Sequence, residues 1–272
     1  MTKPRLAFIG TGGTIASLGC GPLDLVDYTA NGVLLDAAGL LARFPEVREV
    51  AEVVPVPYRA VPSTRLGFAD WKALLLLCER LAAEDPALAG IVIGHGTASL
   101  EETAYFLSLT LKAALPVVLV GAQRPASALS SDAGLNLVNA LRVAACEQAR
   151  GLGVLVVLND EIHAAREVTK TSTGRLQTFR SPDFGALGHA DGDRITFYRR
   201  PLRRTAPDTE FTRAPSPRCR GWTSPTATPT PTARRRAPSS PPGRAAWSRP
   251  ASPRASSPPG RRRRCAKRWR RA

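Results

Sequence analysis

Leu6-Ala-Phe-Ile-Gly-Thr-Gly-Gly-Thr-Ile-Ala-Ser17 is the stretch whose reading decides the fold. Its apolar start, Leu6 to Ile9, reads as a short buried strand. The strand runs into Gly10, Thr11, Gly12 and Gly13, and Thr14 stands on the far side. Glycines at a strand end permit positive φ and close backbone approach. The stretch therefore predicts a sharp turn presenting the Thr14 hydroxyl at the carboxyl edge of a sheet, where open α/β folds bind ligands.

Working outward, the same punctuation recurs. Gly90-Ile-Val-Ile-Gly94 reads as a buried strand followed by the turn His95-Gly-Thr-Ala98. Pro116 to Gly121 and Gly153 to Leu158 are further continuous apolar runs. Helical patterns lie between them: 34–44, 68–83, about 99–112 and 131–150. Ser99 and Glu102 have the spacing of a capping box. His95 reads as a turn residue satisfied by backbone rather than as a base. Residues 19–31 are polar and aperiodic and read as a mobile loop near Thr14. Uninterrupted apolar strands alternating with helices predict a doubly wound, mostly parallel α/β sheet flanked by helices.

The net charge of +16 suggests nucleic acid until it is located. All 22 acidic residues lie at or before Glu210, while 17 Lys and Arg follow, so residues 1–210 carry −1. The tail also holds 12 of the 24 prolines and no apolar period, a composition that predicts disorder. The expected organisation is an α/β domain over 1–205 and a basic disordered tail over 206–272. The switch in composition is abrupt, and the tail from about 212 reads as a shifted reading frame replacing a second domain. No run approaches the ~20 apolar residues of a membrane helix, and nothing at the start reads as a secretory signal. A cytoplasmic location is the expectation. Five cysteines without C-x-x-C spacing and three histidines without paired spacing point to no metal site.

A dinucleotide fingerprint fails at Ile15, where G-x-G-x-x-G requires its third glycine, so no cofactor is expected. Two threonines remain, Thr14 and Thr97, each following glycine at a strand's carboxyl end. A threonine hydroxyl needs a base or a poised lysine to become nucleophilic. Lys170, in Glu167-Val-Thr-Lys-Thr171, is one of only five lysines and follows a core strand. The same residues could equally be turn formers and a solvated charge.

Four motifs in order now carry a resemblance: Ile9-Gly-Thr-Gly-Gly-Thr-Ile-Ala16, Gly94-His-Gly-Thr-Ala-Ser-Leu-Glu-Glu-Thr-Ala-Tyr-Phe-Leu107, Val120-Gly-Ala-Gln-Arg-Pro125 and Glu167-Val-Thr-Lys-Thr171. Over roughly 5–205 the chain resembles the amino-terminal domain of the bacterial-type L-asparaginases and glutaminase-asparaginases. The resemblance implies hydrolysis of L-asparagine to L-aspartate and ammonia, without metal or cofactor, by a homo-oligomer. Thr14 falls on the acyl-forming threonine and Tyr28 on the loop tyrosine that assists it. Thr97 and Lys170 fall on the pair that activates a hydroxyl or water, and Ser63 on the serine that holds the substrate's α-carboxylate. Two departures stand out. Ala98 occupies the place of an aspartate that pairs with the substrate's α-ammonium, and the family's smaller carboxyl-terminal domain is not recognisable. Impaired activity is therefore expected. Two competing readings are a catalytically weak domain with a basic nucleic-acid-binding arm, and a subunit that supplies ammonia to an amidotransferase partner. The sequence argues against nucleic acid or membrane as the main partner.

Overall fold

A computed structural model describes residues 2–211. The tail, its shifted frame and its nucleic-acid reading lie outside the described residues. The described residues belong to one compact unit.

The chain runs β1 (Arg5–Gly10), β2 (Ser17–Leu18), β3 (Val33–Leu34), α1 (Ala37–Arg43), α2 (Val47–Val50), β4 (Glu52–Val56) and α3 (Phe68–Glu84). It continues through β5 (Leu88–Gly94), α4 (Leu100–Thr110), β6 (Val117–Val120), α5 (Ala133–Ala145), β7 (Val154–Leu158) and β8 (Glu161–Ala164). Four short strands follow: β9 (Thr169–Lys170), β10 (Phe179–Arg180), β11 (Gly188–Ala190) and β12 (Ile195–Phe197). The main sheet has eight strands in the order β12-β11-β8-β7-β6-β5-β1-β4. Strands β4, β1, β5, β6 and β7 are parallel.

Both faces of that parallel block are apolar, which is why its strands read as unbroken hydrophobic runs. Leu6, Phe8, Val92, Val118, Val120, Leu155 and Val157 pack on one face with α1 and α5. Their neighbours Ala7, Ile9, Ile91, Ile93, Val117, Leu119 and Val156 pack on the other with α3 and α4. The doubly wound expectation holds. Strand β1 sits between β4 and β5, so the chain leaves it toward one side and returns on the other. The crevice beyond the carboxyl ends of β1 and β5 is thus the switch point where such folds bind ligands.

Three local features refine these readings. The helix expected over 34–44 begins only at Ala37, because Leu34 pairs with Ser17 in a small ribbon and Asp36 caps the helix through Gly39 N at 2.7 Å. After β7 the chain makes a tight hairpin, with Asn159 at φ 49° and Asp160 at φ 64°. Paired positive φ values give the turn that matches strand twist, and so the sheet gains the antiparallel strands β8, β11 and β12. The expected boundary at 205 also shifts. Ala206 is buried, its N–H bonds to Ser108 O, and Lys112 Nζ donates to Pro207 O and Thr209 O at 3.1 and 2.9 Å.

Candidate active site

The turn after β1 is held from both sides. Thr11 donates its N–H and its hydroxyl to Gly94 O, and its own carbonyl accepts from Val61 N. Gly12 and Gly13 adopt φ of 95° and 85°, a region where side chains are strained. Space forbids a side chain as well. A Cβ on Gly13 would lie 2.1 Å from the Cα of Gly96, and one on Gly96 would lie 2.7 Å from Ser63 Oγ. The turn after β1 and the turn after β5 therefore meet backbone to backbone, and the Ser63 side chain lies against the second.

Thr14 starts a short 3-10 turn beyond the glycines. Its Oγ1 lies 2.9 Å from the Tyr28 hydroxyl, on the 3-10 turn Tyr28–Asn31. The loop carrying Tyr28 is closed at its base by β2 and β3, pairing Ser17 with Leu34 and Leu18 with Val33. It is also tied to the segment after β6, through Gly19 N to Ser127 Oγ at 2.8 Å and Leu129 N to Pro22 O at 2.7 Å. The expected placement of this loop beside Thr14 is what the structure shows.

The turn after β5 carries the second pair. Lys170 Nζ donates to Thr97 Oγ1 at 2.7 Å across 73 residues of chain. Thr97 is buried, and Lys170 lies on β9 opposite Phe179 of β10. Burial pulls the Lys170 ammonium below the ordinary lysine value, and the Glu101 carboxylate pushes the other way. His95 stiffens this turn from beneath. Its Nδ1 bonds to Gly96 O at 2.8 Å and its Nε2 to Thr103 Oγ1 at 3.0 Å. Only the tautomer protonated on Nδ1 satisfies the carbonyl, and burial lowers the pKa to about 4. Neutral His95 is a structural part of the turn, as its position in the sequence suggested.

Ser63 is buried against Gly96, and its carbonyl accepts from Ser99 Oγ at 2.8 Å. That bond corrects the capping-box reading: Ser99 makes no side-chain cap on α4 and is turned toward Ser63 instead. Ala98 is exposed and brings no charge to the edge. Sequence reasoning passed over Glu101, whose partners Thr169 and Lys170 lie 68 and 69 residues away. No local spacing could have revealed that contact. Among the described residues no group of three or more His, Cys, Asp or Glu is placed to hold a metal ion.

The arrangement is thus two hydroxyl pairs on adjoining turns at a sheet's switch point, one with a phenol and one with an amine. The family profile described as "Asparaginase, N-terminal" matches residues 5–203. The chain belongs to the asparaginase family. It is 40% identical over 208 residues to the "Probable L-asparaginase periplasmic" of Haemophilus influenzae, covering 76% of this chain and 58% of that one. It is 40% identical over 215 residues to the "Glutaminase-asparaginase" of Pseudomonas fluorescens, covering 77% and 58%. Among solved structures, the probable cytoplasmic L-asparaginase of Campylobacter jejuni superposes with a TM-score of 0.72 at 37% identity, over 77% of this chain and 63% of that one. The chain spans between half and two thirds of the length of these relatives. No described helix is long and apolar enough to cross a membrane.

Proposed function

We propose that this asparaginase-family chain hydrolyses the side-chain amide of L-asparagine, with Thr14 as nucleophile. The observation that carries the reading is the pairing of Thr14 with Tyr28 and of Thr97 with Lys170 on turns that touch through Gly13 and Gly96. In the first step Thr14 Oγ1 bonds to the amide carbon. Its proton passes by way of the Tyr28 hydroxyl to the nitrogen, which leaves as ammonia. In the second step water attacks the resulting ester and gives a proton to the Thr97–Lys170 pair. The Thr14 oxygen leaves the carbon and recovers its hydrogen, so the sum is asparagine plus water to aspartate plus ammonia.

The lowered pKa of Lys170 supports its role, because more of the amine is neutral near pH 7 and able to accept a proton. Helix α4 begins just after Thr97, and the positive end of its dipole favours a developing oxyanion. Ser63 stands where it can meet the substrate's α-carboxylate. Assembly into a homo-oligomer belongs to the same reading. The test is ammonia release from L-asparagine and L-glutamine by wild type and Thr14→Ala. Asparagine turnover that falls by at least ~10³-fold in the variant supports the nucleophile. Equal turnover in both chains rejects it.

A further inference from the structure

Glu101 and Glu102 stand side by side in the first turn of α4, and the fold uses the first of them in an unusual way. Glu101 is partly buried, and it reaches across to β9. Its Oε1 accepts from Thr169 Oγ1 at 3.2 Å, and its Oε2 accepts the backbone N–H of Lys170. One carboxylate therefore joins the segment that bears Thr97 to the segment that bears Lys170. Strand β9 has two residues and pairs only with the two-residue β10. A ribbon that short is marginal by itself and takes its place from what it is tied to. Hydrogen bonds to an ionised carboxylate are about twice as strong as neutral ones.

We infer that Glu101 is a positioning residue of this site. It fixes the backbone of Thr169 and Lys170 so that the amine meets Thr97, and it supplies the negative charge acting on that amine. Burial alone would drive Lys170 toward its neutral form. Among the described residues, Glu101 is the one charged group recorded as opposing that drift. The amine donates to the uncharged Thr97 hydroxyl from the turn after β5, and uncharged Phe179 lies opposite Lys170 on β10. Glu101 thus serves two needs, an amine held in place and an amine whose charge is not surrendered to burial alone. The catalytic meaning of that role rests on the proposed hydrolysis, whereas the position and charge of Lys170 do not.

The experiment uses the full chain labelled with 13C-lysine. With five lysines in the sequence, the Lys170 resonance is assigned by its loss in Lys170→Arg. Removing the charge with Glu101→Gln is expected to lower the Lys170 titration midpoint by about one pH unit. The acidic limb of kcat/KM for asparagine is expected to move the same way. Glu101→Asp keeps the charge but shortens the reach, and a smaller shift in the same direction is expected. If Glu101→Gln does not melt cooperatively, Glu101→Asp decides alone. A Lys170 midpoint unchanged from wild type in a folded variant overturns the inference, whatever happens to activity. Should the midpoint move while wild type releases no ammonia, the hydrolytic reading fails and the positioning role of Glu101 stands.

Discussion

Thr14 and Thr97 share one local pattern, a glycine and then a threonine past the carboxyl end of a parallel strand, yet their partners arrive by opposite routes. The partner of Thr97 comes from 73 residues away, on a segment that Glu101 ties down. Behind it lies His95, fully buried and bonded at both ring nitrogens. The partner of Thr14 comes from only 14 residues away, on a loop whose neighbours Leu23 and Val26 are 56% and 84% exposed. Both partners are carried by short ribbons, but Glu101 ties one of them to the turn above buried His95, while the other closes a loop at the surface. Segments with few buried contacts open at low free energy. On the proposed mechanism the difference suits the two tasks, with substrate entering past the looser side and the base held on the other.

Four experiments bear on that contrast. Lys170→Met removes the core-side amine, and kcat is expected to fall by about 10³-fold, the range for losing a general base. Tyr28→Phe removes one hydroxyl from the loop side. A lost hydrogen bond of 1–3 kcal/mol corresponds to roughly a 10- to 100-fold fall. A larger loss from Tyr28→Phe than from Lys170→Met would invert the contrast.

The third experiment reads stability. His95 is neutral in the fold, with a pKa of about 4 against an ordinary 6.5, so the unfolded chain binds more protons between those values. The stabilisation is complete above pH 6.5 and is lost as pH falls toward 4. By pH 5, above most carboxylate titrations, His95 is expected to account for a loss on the order of 2 kcal/mol, and His163, which burial also lowers to about 4, adds to it. Urea midpoints measured from pH 7 to 5 check it, and a flat profile counts against His95 as the prop beneath Thr97. The smallest effect is expected from Ala98→Asp. Since Ala98 is exposed, a carboxylate there stays hydrated, and its attraction for a substrate ammonium is worth about 1 kcal/mol. A several-fold rise in kcat/KM for asparagine is the expected reading.

Much of this was legible in the chain because it depends on local chemistry. Continuous apolar runs marked the parallel strands, since both of their faces are covered. Gly12 and Gly13 announced the turn, and both adopt the positive φ expected of them. The pairing of Thr14 with Tyr28 and of Thr97 with Lys170 followed from residue types and a family likeness, and the geometry brings each pair within hydrogen-bond distance. What escaped depends on distant partners. The hairpin at Asn159 and Asp160 turns on positive φ at two non-glycine residues, a weak cue beside the apolar run before it. Ser99 kept the capping spacing, but its hydroxyl donates to Ser63 O, 36 residues away, and accepts no N–H from the helix end. Glu101, unlike Glu102, had no local spacing to mark it until β9 was in place.

The contact of Gly13 with Gly96 carries a further consequence, one of inheritance rather than of mechanism. A Cβ on Gly13 would lie 2.1 Å from Gly96, and one on Gly96 would meet Ser63 Oγ at 2.7 Å and Gly13 at 3.1 Å, so neither position accepts a side chain unless its neighbours retreat. A change at one glycine is therefore felt at both threonines, and its effect cannot be assigned to one half of the site. Substitutions at the two positions should be strongly non-additive, each worsening or masking the other. Variation in this protein is free to explore the Tyr28 loop, but the two turns must drift together or not at all.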